Sequence, residues 1–311
     1  MRTAFLGNDP WSVPSLLATA ESAHEVALVA TRVPRPAGRG GRLRPTAVAR
    51  AAREAGLPVA EVETVKRGPG LEALREASPE VLVVVAYGEI LPAEVLHLPT
   101  VAPVNVHFSL LPALRGANPV ARAILEGGGT TGVTTMRMDE GLDTGPILLQ
   151  EEAPILDHDD AGTLGDRLAR LGGDLLVRTL DGLGRGDLQE RPQDNTLATQ
   201  APRFRPEEEW IDWTEDASVV WRRVRALAPD PGARTTFRGR TLKVLRARPA
   251  DGRGQPGAVL DVSPPGPVVA AGHGAVLLEE VVPEGRRRMG APDWARGARP
   301  EPGERLGGPE G

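Results

Sequence analysis

The 311-residue chain contains no cysteine, which excludes disulfide bonds, thiolate metal sites and cysteine nucleophiles. Aromatic residues make up only 3% of the sequence, so aliphatic side chains must form most of the core. The longest apolar run, residues 81–87, is far shorter than the roughly 20 residues that cross a bilayer as a helix. Asn8, Asp9 and Pro10 interrupt the first apolar run, which argues against a signal peptide. These absences predict a soluble, cytoplasmic protein.

Acidic residues are missing from one strongly basic segment. The net charge of the whole chain is −5, yet seven arginines and no acid lie between Arg32 and Arg53. Glycine and proline without hydrophobic periodicity predict a loop from Pro34 to Pro45. A run of charge is usually only a solvated face. Because this run follows a predicted sheet strand, and because arginine forks suit phosphate, we favour contact with nucleic acid.

Strands and helices alternate through the first part of the chain. Buried strands are predicted at residues 3–7, 26–31 and 81–86, with helical patterns between them. This alternation is typical of an α/β fold with a parallel, doubly wound sheet. We assign this domain to residues 1–190.

The composition changes after this first domain. Residues 191–209 are polar and contain several prolines, which predicts a linker. From residue 210 to 306, short strands separated by turn signals predict a small β-barrel. Residues 307–311 are expected to form a disordered tail.

One predicted strand, beginning at Val104, carries polar residues on one face. Asn105, His107 and Ser109 alternate with apolar residues, so their side chains should point to the same side. An antiparallel strand with one wet face would give the same pattern. The flanking pattern instead indicates a buried parallel sheet, and ligands bind at the carboxyl ends of such strands. This end of the strand is therefore the candidate site.

These residue types suit acyl transfer to an amine. Asn105 and His107 can donate hydrogen bonds to an oxyanion, and a carboxylate can take a proton or orient the imidazole. Asp143, in a turn flanked by glycines, is one candidate, although turn aspartates often bond only their own backbone. Asp139 and Glu140 compete for the same role, and the sequence does not choose between them. No Gly-x-Ser-x-Gly elbow and no metal-ligand spacing is present, so neither a covalent serine nor a metal is expected.

The residues just described resemble those of the folate-dependent formyltransferases. The similarity lies in Asn105-Val-His107-Phe-Ser109-Leu-Leu-Pro112 with Arg115-Gly116, in Gly132-Val-Thr134, and in Asp139-Glu-Gly-Leu-Asp143-Thr-Gly145. It implies a Rossmann-like, mostly parallel sheet domain followed by an OB-like barrel, and 10-formyltetrahydrofolate as formyl donor. Asn105 and His107 would polarise the formyl carbonyl, while Asp143 would orient His107 and assist proton removal.

The resemblance also implies which residues contact the two substrates. The expected folate-binding residues are Ser109, Leu110, Leu111, Pro112, Gly88, Glu89, Ile90 and Leu91. The arginine segment and the second domain point to the methionine amine of charged initiator transfer RNA as acceptor. The expected contacts to this RNA are Arg32, Arg35, Arg39, Arg42 and Arg44. A monomer without metal or membrane contact is expected.

The chain departs from the family pattern at a few positions. Phe108 follows the histidine where a small residue is usual, and Asn118 replaces the usual alanine before the proline. The opening segment from Gly7 to Trp11 is also different. Three alternatives remain at this stage. In these alternatives the chain would be a formyltetrahydrofolate hydrolase, a sugar-nucleotide formyltransferase, or a nucleic-acid-binding protein without catalytic activity.

Overall fold

The computed structural model describes residues 1–37 and 42–308. These residues form two compact units. Within those limits, the first unit contains residues 1–119, Thr130–Pro154 and Gly165–Ala201. The second contains Val120–Gly129, Ile155–Leu164 and the chain from Pro202 onward. The domain limits inferred from the sequence stay a prediction.

Strands and helices alternate along the first part of the chain, as the hydrophobic pattern predicts. In chain order, the strands are β1 Arg2–Gly7, β2 Glu25–Arg32, β3 Arg35–Ala37, β4 Arg42–Arg44, β5 Val59–Val62, β6 Val81–Val85, β7 Ala102–His107, β8 Thr130–Arg137 and β9 Ile147–Pro154. The helices are α1 Val13–Glu21, α2 Ala47–Glu54, α3 Gly68–Ala77, α4 Ala93–Leu96, α5 Pro119–Glu126 and α6 Ala161–Arg185.

The first unit is built on one seven-stranded sheet in the order β5-β2-β1-β6-β7-β8-β9. Strands β5, β2, β1, β6 and β7 are parallel, whereas β8 and β9 are antiparallel to their neighbours. The prediction of an α/β fold with a mostly parallel sheet is confirmed. All five residues of β6 are buried, as expected for a central strand covered on both faces.

The second unit contains a curled antiparallel sheet. Its strands are β10 Ala233–Phe237, β11 Arg240–Ala250, β12 Val259–Asp261, β13 Val268–Ala270, β14 Ala275–Pro283, β15 Met289–Gly290 and β16 Leu306–Gly307, and its later helices are α7 Ala217–Leu227 and α8 Ala291–Ala298. The order is β12-β13-β14-β11-β10-β16. The Val259 amide donates to the Glu304 carbonyl at 2.7 Å, and this bond links the two ends of the sheet. The OB-like fold is thereby confirmed.

Helix α5 contributes to the second unit although it lies far upstream in the sequence. The Nη1 of Arg122 on α5 is 2.8 Å from Oε1 of Glu208. Hydrogen bonding from Arg122 lowers the pKa of the Glu208 carboxyl to about 2. The Nε of Arg222 on α7 donates to the Leu125 carbonyl at 3.2 Å.

Three segments differ from their predicted local structure. The loop predicted from Pro34 to Pro45 contains the hairpin of β3 and β4, because Arg35 pairs with Arg44 and Pro36 with Leu43. The prediction was wrong here because neither strand has an apolar period. The first part of the predicted linker pairs with β9, since the Ile147 amide donates to the Arg191 carbonyl at 2.8 Å. In the predicted tail, Gly307 pairs with Thr236, and residues 309–311 lie outside the described residues.

The unusual Phe108 is accommodated by two other residues. Its ring is buried and packs edge-on against Trp11, with ring centroids 6.1 Å apart. Trp11 donates from Nε1 to Asp166 at 3.0 Å. A Cβ atom on Gly165 would lie 2.0 Å from the Trp11 ring, so only glycine leaves room for the indole. Strand β7 ends at His107, so Phe108 and Ser109 lie in the bend after it, and the predicted alternation does not extend to Ser109.

We predict that Gly165→Ala destabilises the fold, because the added methyl group would overlap the indole of Trp11. Overpacking of this kind typically costs about 1–3 kcal/mol in the free energy of unfolding. Gly184→Ala in the same helix is the matched control, since its Cβ would lie an ordinary 3.5 Å from Met1. It should stabilise the helix by about 0.5–1 kcal/mol. Urea unfolding followed by tryptophan fluorescence measures both, and equal effects would contradict this packing argument.

Candidate active site

His107 ends strand β7 and is held by its backbone surroundings. Its imidazole is buried, and Nε2 lies 2.9 Å from the carbonyl oxygen of Leu114. A carbonyl only accepts hydrogen bonds, so Nε2 carries a proton. The other ring nitrogen, Nδ1, faces Oδ2 of Asp143 at 3.7 Å. The Leu114 carbonyl thus orients the ring, a contact that the sequence did not indicate.

The structure distinguishes the three acidic residues that compete in the sequence. Oδ2 of Asp143 accepts a hydrogen bond of 2.7 Å from the Gly116 amide and faces His107. Asp139 instead braces its own turn, because Oδ1 accepts from the Gly141 amide and from the Thr144 hydroxyl. Glu140 is exposed. The carboxylate brought to the imidazole is therefore that of Asp143.

Asn105 lies two residues before His107 on β7. Its Cα pairs with Val84 on one side and with Met136 on the other, so it lies inside the sheet. Residues two apart on a strand share a face. The side chain is half-buried, and its amide lies on the same side of the sheet as the imidazole. The structure thus brings His107 and Asp143 together and places Asn105 two residues before His107 on the same strand.

The segment after β7 is held by two residues to which the sequence analysis gave no role. The hydroxyl of Thr134 donates to the Ser109 carbonyl at 2.7 Å and accepts from the Leu111 amide at 3.1 Å. Gln150 donates from Nε2 to Thr134 Oγ1 at 3.0 Å and to the Leu111 carbonyl at 2.8 Å. The available signal was a polar residue on each of the next two strands of the sheet, Thr134 on β8 and Gln150 on β9.

The predicted folate residues after β7 differ in exposure. Ser109 is fully buried, and its hydroxyl donates to the Ala113 carbonyl at 2.6 Å. Leu111 is buried, whereas Leu110 and Pro112 are half-buried. The Ser109 side chain is thus used within the segment itself. Contact between these four residues and folate stays a prediction.

The second predicted folate segment, Gly88 to Leu91, follows strand β6. Oε2 of Glu89 accepts from the Thr64 hydroxyl at 2.9 Å, and Ile90 is 73% exposed whereas Leu91 is buried. The preceding residue, Tyr87, is buried, and this burial together with the nearby Glu89 carboxylate raises the pKa of its hydroxyl.

Asn8 anchors the start of this segment. Its Nδ2 donates to the Tyr87 carbonyl, and its Oδ1 accepts from the Arg32 amide at 2.8 Å. The unusual opening segment therefore supplies an amide, that of Asn8, which links the end of β2 to the segment after β6. The sequence analysis noted the difference but not this role.

The predicted RNA-binding arginines have different surroundings. Arg32 donates from Nη2 to the Gly88 carbonyl at 3.2 Å and lies 3.6 Å from Glu89, so its guanidinium is engaged within the protein. Arg35 and Arg44 are exposed and directly opposite each other on β3 and β4. Arg42 belongs to β4, and Arg39 lies outside the described residues.

Among residues 1–37 and 42–308, the structure contains neither a cluster of metal-ligating side chains nor a helix that could cross a membrane. In this part of the chain, no group of three or more histidine, aspartate and glutamate side chains has an arrangement that could hold a metal ion. Among the helices described above, none is both long and apolar enough to span a bilayer.

Comparisons with known proteins agree with this geometry. The chain matches the formyl transferase family over residues 1–180, and the formyl transferase C-terminal domain over residues 203–299. It is 47% identical over 307 residues to methionyl-tRNA formyltransferase of Thermus thermophilus, covering 99% of both chains. It is 45% identical over 309 residues to methionyl-tRNA formyltransferase of Solibacter usitatus, again covering 99% of both.

A solved structure supports the fold. The crystal structure of WlaRD, a sugar 3N-formyl transferase in the presence of dTDP and 5-N-formyl-THF, matches with a TM-score of 0.67. The match covers 92% of this chain and 99% of that chain, at 16% sequence identity. At this identity the likeness concerns the fold alone.

We predict that Thr134→Val destabilises the protein, because it leaves the buried Leu111 amide without its partner. An orphaned buried group of this kind costs about 1–3 kcal/mol in the free energy of unfolding. Thr131→Val on the same strand is the matched control. The Thr131 hydroxyl is buried and has no hydrogen-bond partner among the described residues, so its loss should be neutral or stabilising. Urea unfolding compares the two variants, and an equal loss of stability would contradict the role of Thr134.

Proposed function

The chain belongs to the methionyl-tRNA formyltransferase family, and we infer that it transfers a formyl group to the amino group of methionine on charged initiator tRNA. The observation that carries this conclusion is the full-length identity to the Thermus thermophilus enzyme. The transfer prepares the tRNA for translation initiation, which places the enzyme in the cytoplasm. We also propose that residues 1–190 catalyse the reaction, that residues 210–306 bind tRNA, and that the enzyme is a monomer.

We propose 10-formyltetrahydrofolate as the formyl donor, bound beside Ser109–Pro112 and Gly88–Leu91. The proposal is supported by the family and by the 5-N-formyl-THF named with the sugar 3N-formyl transferase. Both segments follow the carboxyl ends of adjacent parallel strands, β7 and β6, where open α/β sheets bind ligands. Gly88 and Ile90 are exposed there, which leaves backbone and apolar surface for a flat heterocycle.

The transfer itself requires charge stabilisation and a proton acceptor. The methionine nitrogen attacks the formyl carbon, a C–N bond forms, and the carbonyl electron pair moves onto oxygen. The Asn105 amide and a protonated His107 Nδ1 donate hydrogen bonds to this oxyanion. The Asp143 carboxylate, 3.7 Å from Nδ1, stabilises the imidazolium and takes the proton released by the amine. The oxyanion then collapses, the bond from the formyl carbon to the folate nitrogen breaks, and that nitrogen receives the proton that Asp143 took from the amine.

Asp143→Asn tests this assignment, because asparagine keeps the size of the side chain but removes the charge and the proton acceptor. We expect kcat to fall by roughly 10²- to 10⁴-fold, with folate binding nearly unchanged. Asp139→Asn is the matched control. Its side-chain oxygen still accepts from Gly141 and Thr144, so activity should stay close to that of the unaltered enzyme. Normal turnover in the Asp143 variant would remove this residue from the mechanism.

The acceptor is tested with the unaltered enzyme. Formyl transfer to charged initiator tRNA should be fast, whereas uncharged tRNA and free methionine should react poorly. Hydrolysis of the donor without any amine, at a rate that matches transfer, would instead favour a formyltetrahydrofolate hydrolase. Transfer to an amino sugar nucleotide in preference to tRNA would favour a sugar-nucleotide formyltransferase.

We propose that the β3–β4 hairpin contacts the RNA through Arg35 and Arg44. Like charges directly opposite each other on paired strands are destabilising. The hairpin therefore carries an electrostatic cost in the free protein that an anionic partner would relieve. The other face of the same pair consists of Pro36 and Leu43, and Leu43 is 67% exposed. Arginines on one face and exposed apolar side chains on the other suit phosphate and base surfaces, respectively.

Replacing Arg35 and Arg44 together with alanine should weaken tRNA binding and reduce its dependence on salt. Each lost phosphate contact should lower the slope of log K against log salt by about 1. Binding titrations between low and moderate salt measure this slope. Arg185→Ala is the control. Arg185 is an exposed arginine of the first unit that lies outside the hairpin and pairs with Asp187. An unchanged slope in the double variant would mean that these two arginines do not contact phosphate.

A further inference from the structure

Gln193 joins the turn of Asp143 to a buried arginine. Its Nε2 donates to the Asp143 carbonyl at 2.9 Å and to the Gly145 carbonyl at 2.7 Å. Its Oε1 accepts from Nη2 and Nε of Arg115 at 2.7 and 3.1 Å. The residue after this arginine, Gly116, donates its amide to the Asp143 carboxylate at 2.7 Å. A closed ring therefore joins Gln193, Asp143, Gly116 and Arg115 through these hydrogen bonds and the peptide bond between Arg115 and Gly116.

Arg115 determines which way the Gln193 amide points. A guanidinium only donates hydrogen bonds, so the side-chain oxygen of Gln193 must face Arg115. The NH₂ group must then face the two backbone carbonyls, which only accept. Arg115 is 6% exposed, and among the described residues no carboxylate forms an ion pair with it. A neutral amide is therefore the side chain that satisfies both neighbours.

The Asp143 turn needs such support because of its backbone conformation. Asp143 has φ +55°, in the left-handed region that residues other than glycine adopt only uncommonly. Gln193 holds the carbonyl of Asp143 itself and that of Gly145 two residues later. With the Gly116 amide on the carboxylate, both the backbone and the side chain of Asp143 are held. The 3.7 Å separation between Oδ2 and His107 Nδ1 depends on both contacts.

We propose that Gln193, oriented by Arg115, is a positioning residue that holds the Asp143 carboxylate at His107. The segment after Arg191 is then part of the active site and not only a connection between domains. This proposal rests on the proposed formyl transfer. It adds a residue that contacts neither substrate and acts only through Asp143.

Gln193→Glu is the main test. A glutamate still accepts from Arg115, but it presents a carboxylate oxygen to the two carbonyls and so repels the turn. Because a small misplacement of a catalytic group can cost about 10²-fold, we expect a loss of that order in kcat, with the KM values for tRNA and folate changed by less than about threefold. Gln193→Met removes the same two donors without adding charge and should lower kcat in the same way. It serves as the test if the glutamate variant does not fold.

Asn195→Ala is the matched control on the same segment. Asn195 also accepts from Arg115 Nη2, at 2.9 Å, but the structure gives it no role at the Asp143 turn. Its removal leaves both bonds from Arg115 to Gln193, so kcat should be unchanged. Equal losses of kcat in the Asn195 and Gln193 variants would indicate general loosening of the segment and would overturn the proposal.

A double-mutant cycle with Asp143→Asn isolates the route of the effect. If Gln193 acts through Asp143, Gln193→Glu should change kcat little once the carboxylate is gone. Additive losses would overturn the proposal. Hydrogen exchange at the Gly116 amide and at residues 141–145 provides a readout without activity. It should be faster in Gln193→Glu and Gln193→Met but not in Asn195→Ala. Absence of formyl transfer in the unaltered enzyme would refute the proposed function, whereas unchanged exchange would refute the role of Gln193.

Discussion

The hydrogen bond from His107 Nε2 to the Leu114 carbonyl is the constraint on which the candidate site depends. It fixes the proton on one ring nitrogen and turns the other, Nδ1, toward Asp143. The carbonyl can do this only because the backbone around Leu114 is itself held. The Thr199 hydroxyl accepts from the Leu114 amide at 2.8 Å, and the Arg115 amide donates to the Thr199 carbonyl at 2.8 Å. Catalytic geometry in this protein is therefore set largely by the main chain of one irregular segment.

Much of the fold could be predicted from the sequence because hydrophobic period and burial are local properties. Strand β6 is five aliphatic residues in a row, and it is a central, fully buried strand. The face shared by Asn105 and His107 follows in the same way from alternation along β7. The β3–β4 hairpin could not be predicted, because each of its strands is only three residues long, which is too short to show a hydrophobic period. Its pairing is visible only in the backbone hydrogen bonds.

The choice among Asp139, Glu140 and Asp143 shows where sequence reasoning stops. All three lie in the same five-residue stretch, 139–143, and each carries a carboxylate that could face the imidazole. What distinguishes Asp143 is a left-handed backbone and the amide of Gly116, which lies 27 residues earlier in the chain. The roles of Thr134 and Gln150 could not be predicted for the same reason, because these residues hold the backbone of the segment after β7 and not a substrate. Such partners are defined by tertiary structure.

The order of residues along the chain does not match their assignment to the two units. Residues 120–129 belong to the unit that contains the barrel, although more than 70 residues separate them from Pro202. A gene fragment that begins at residue 202 would therefore lack Arg122 and Leu125, which serve as partners for Glu208 and Arg222. A fragment that stops at residue 190 would contain Arg122 and Leu125 but lack Glu208 and Arg222. Producing either half alone thus removes native contacts from it, and studies of the separate parts require the complete polypeptide, cut only after it has folded.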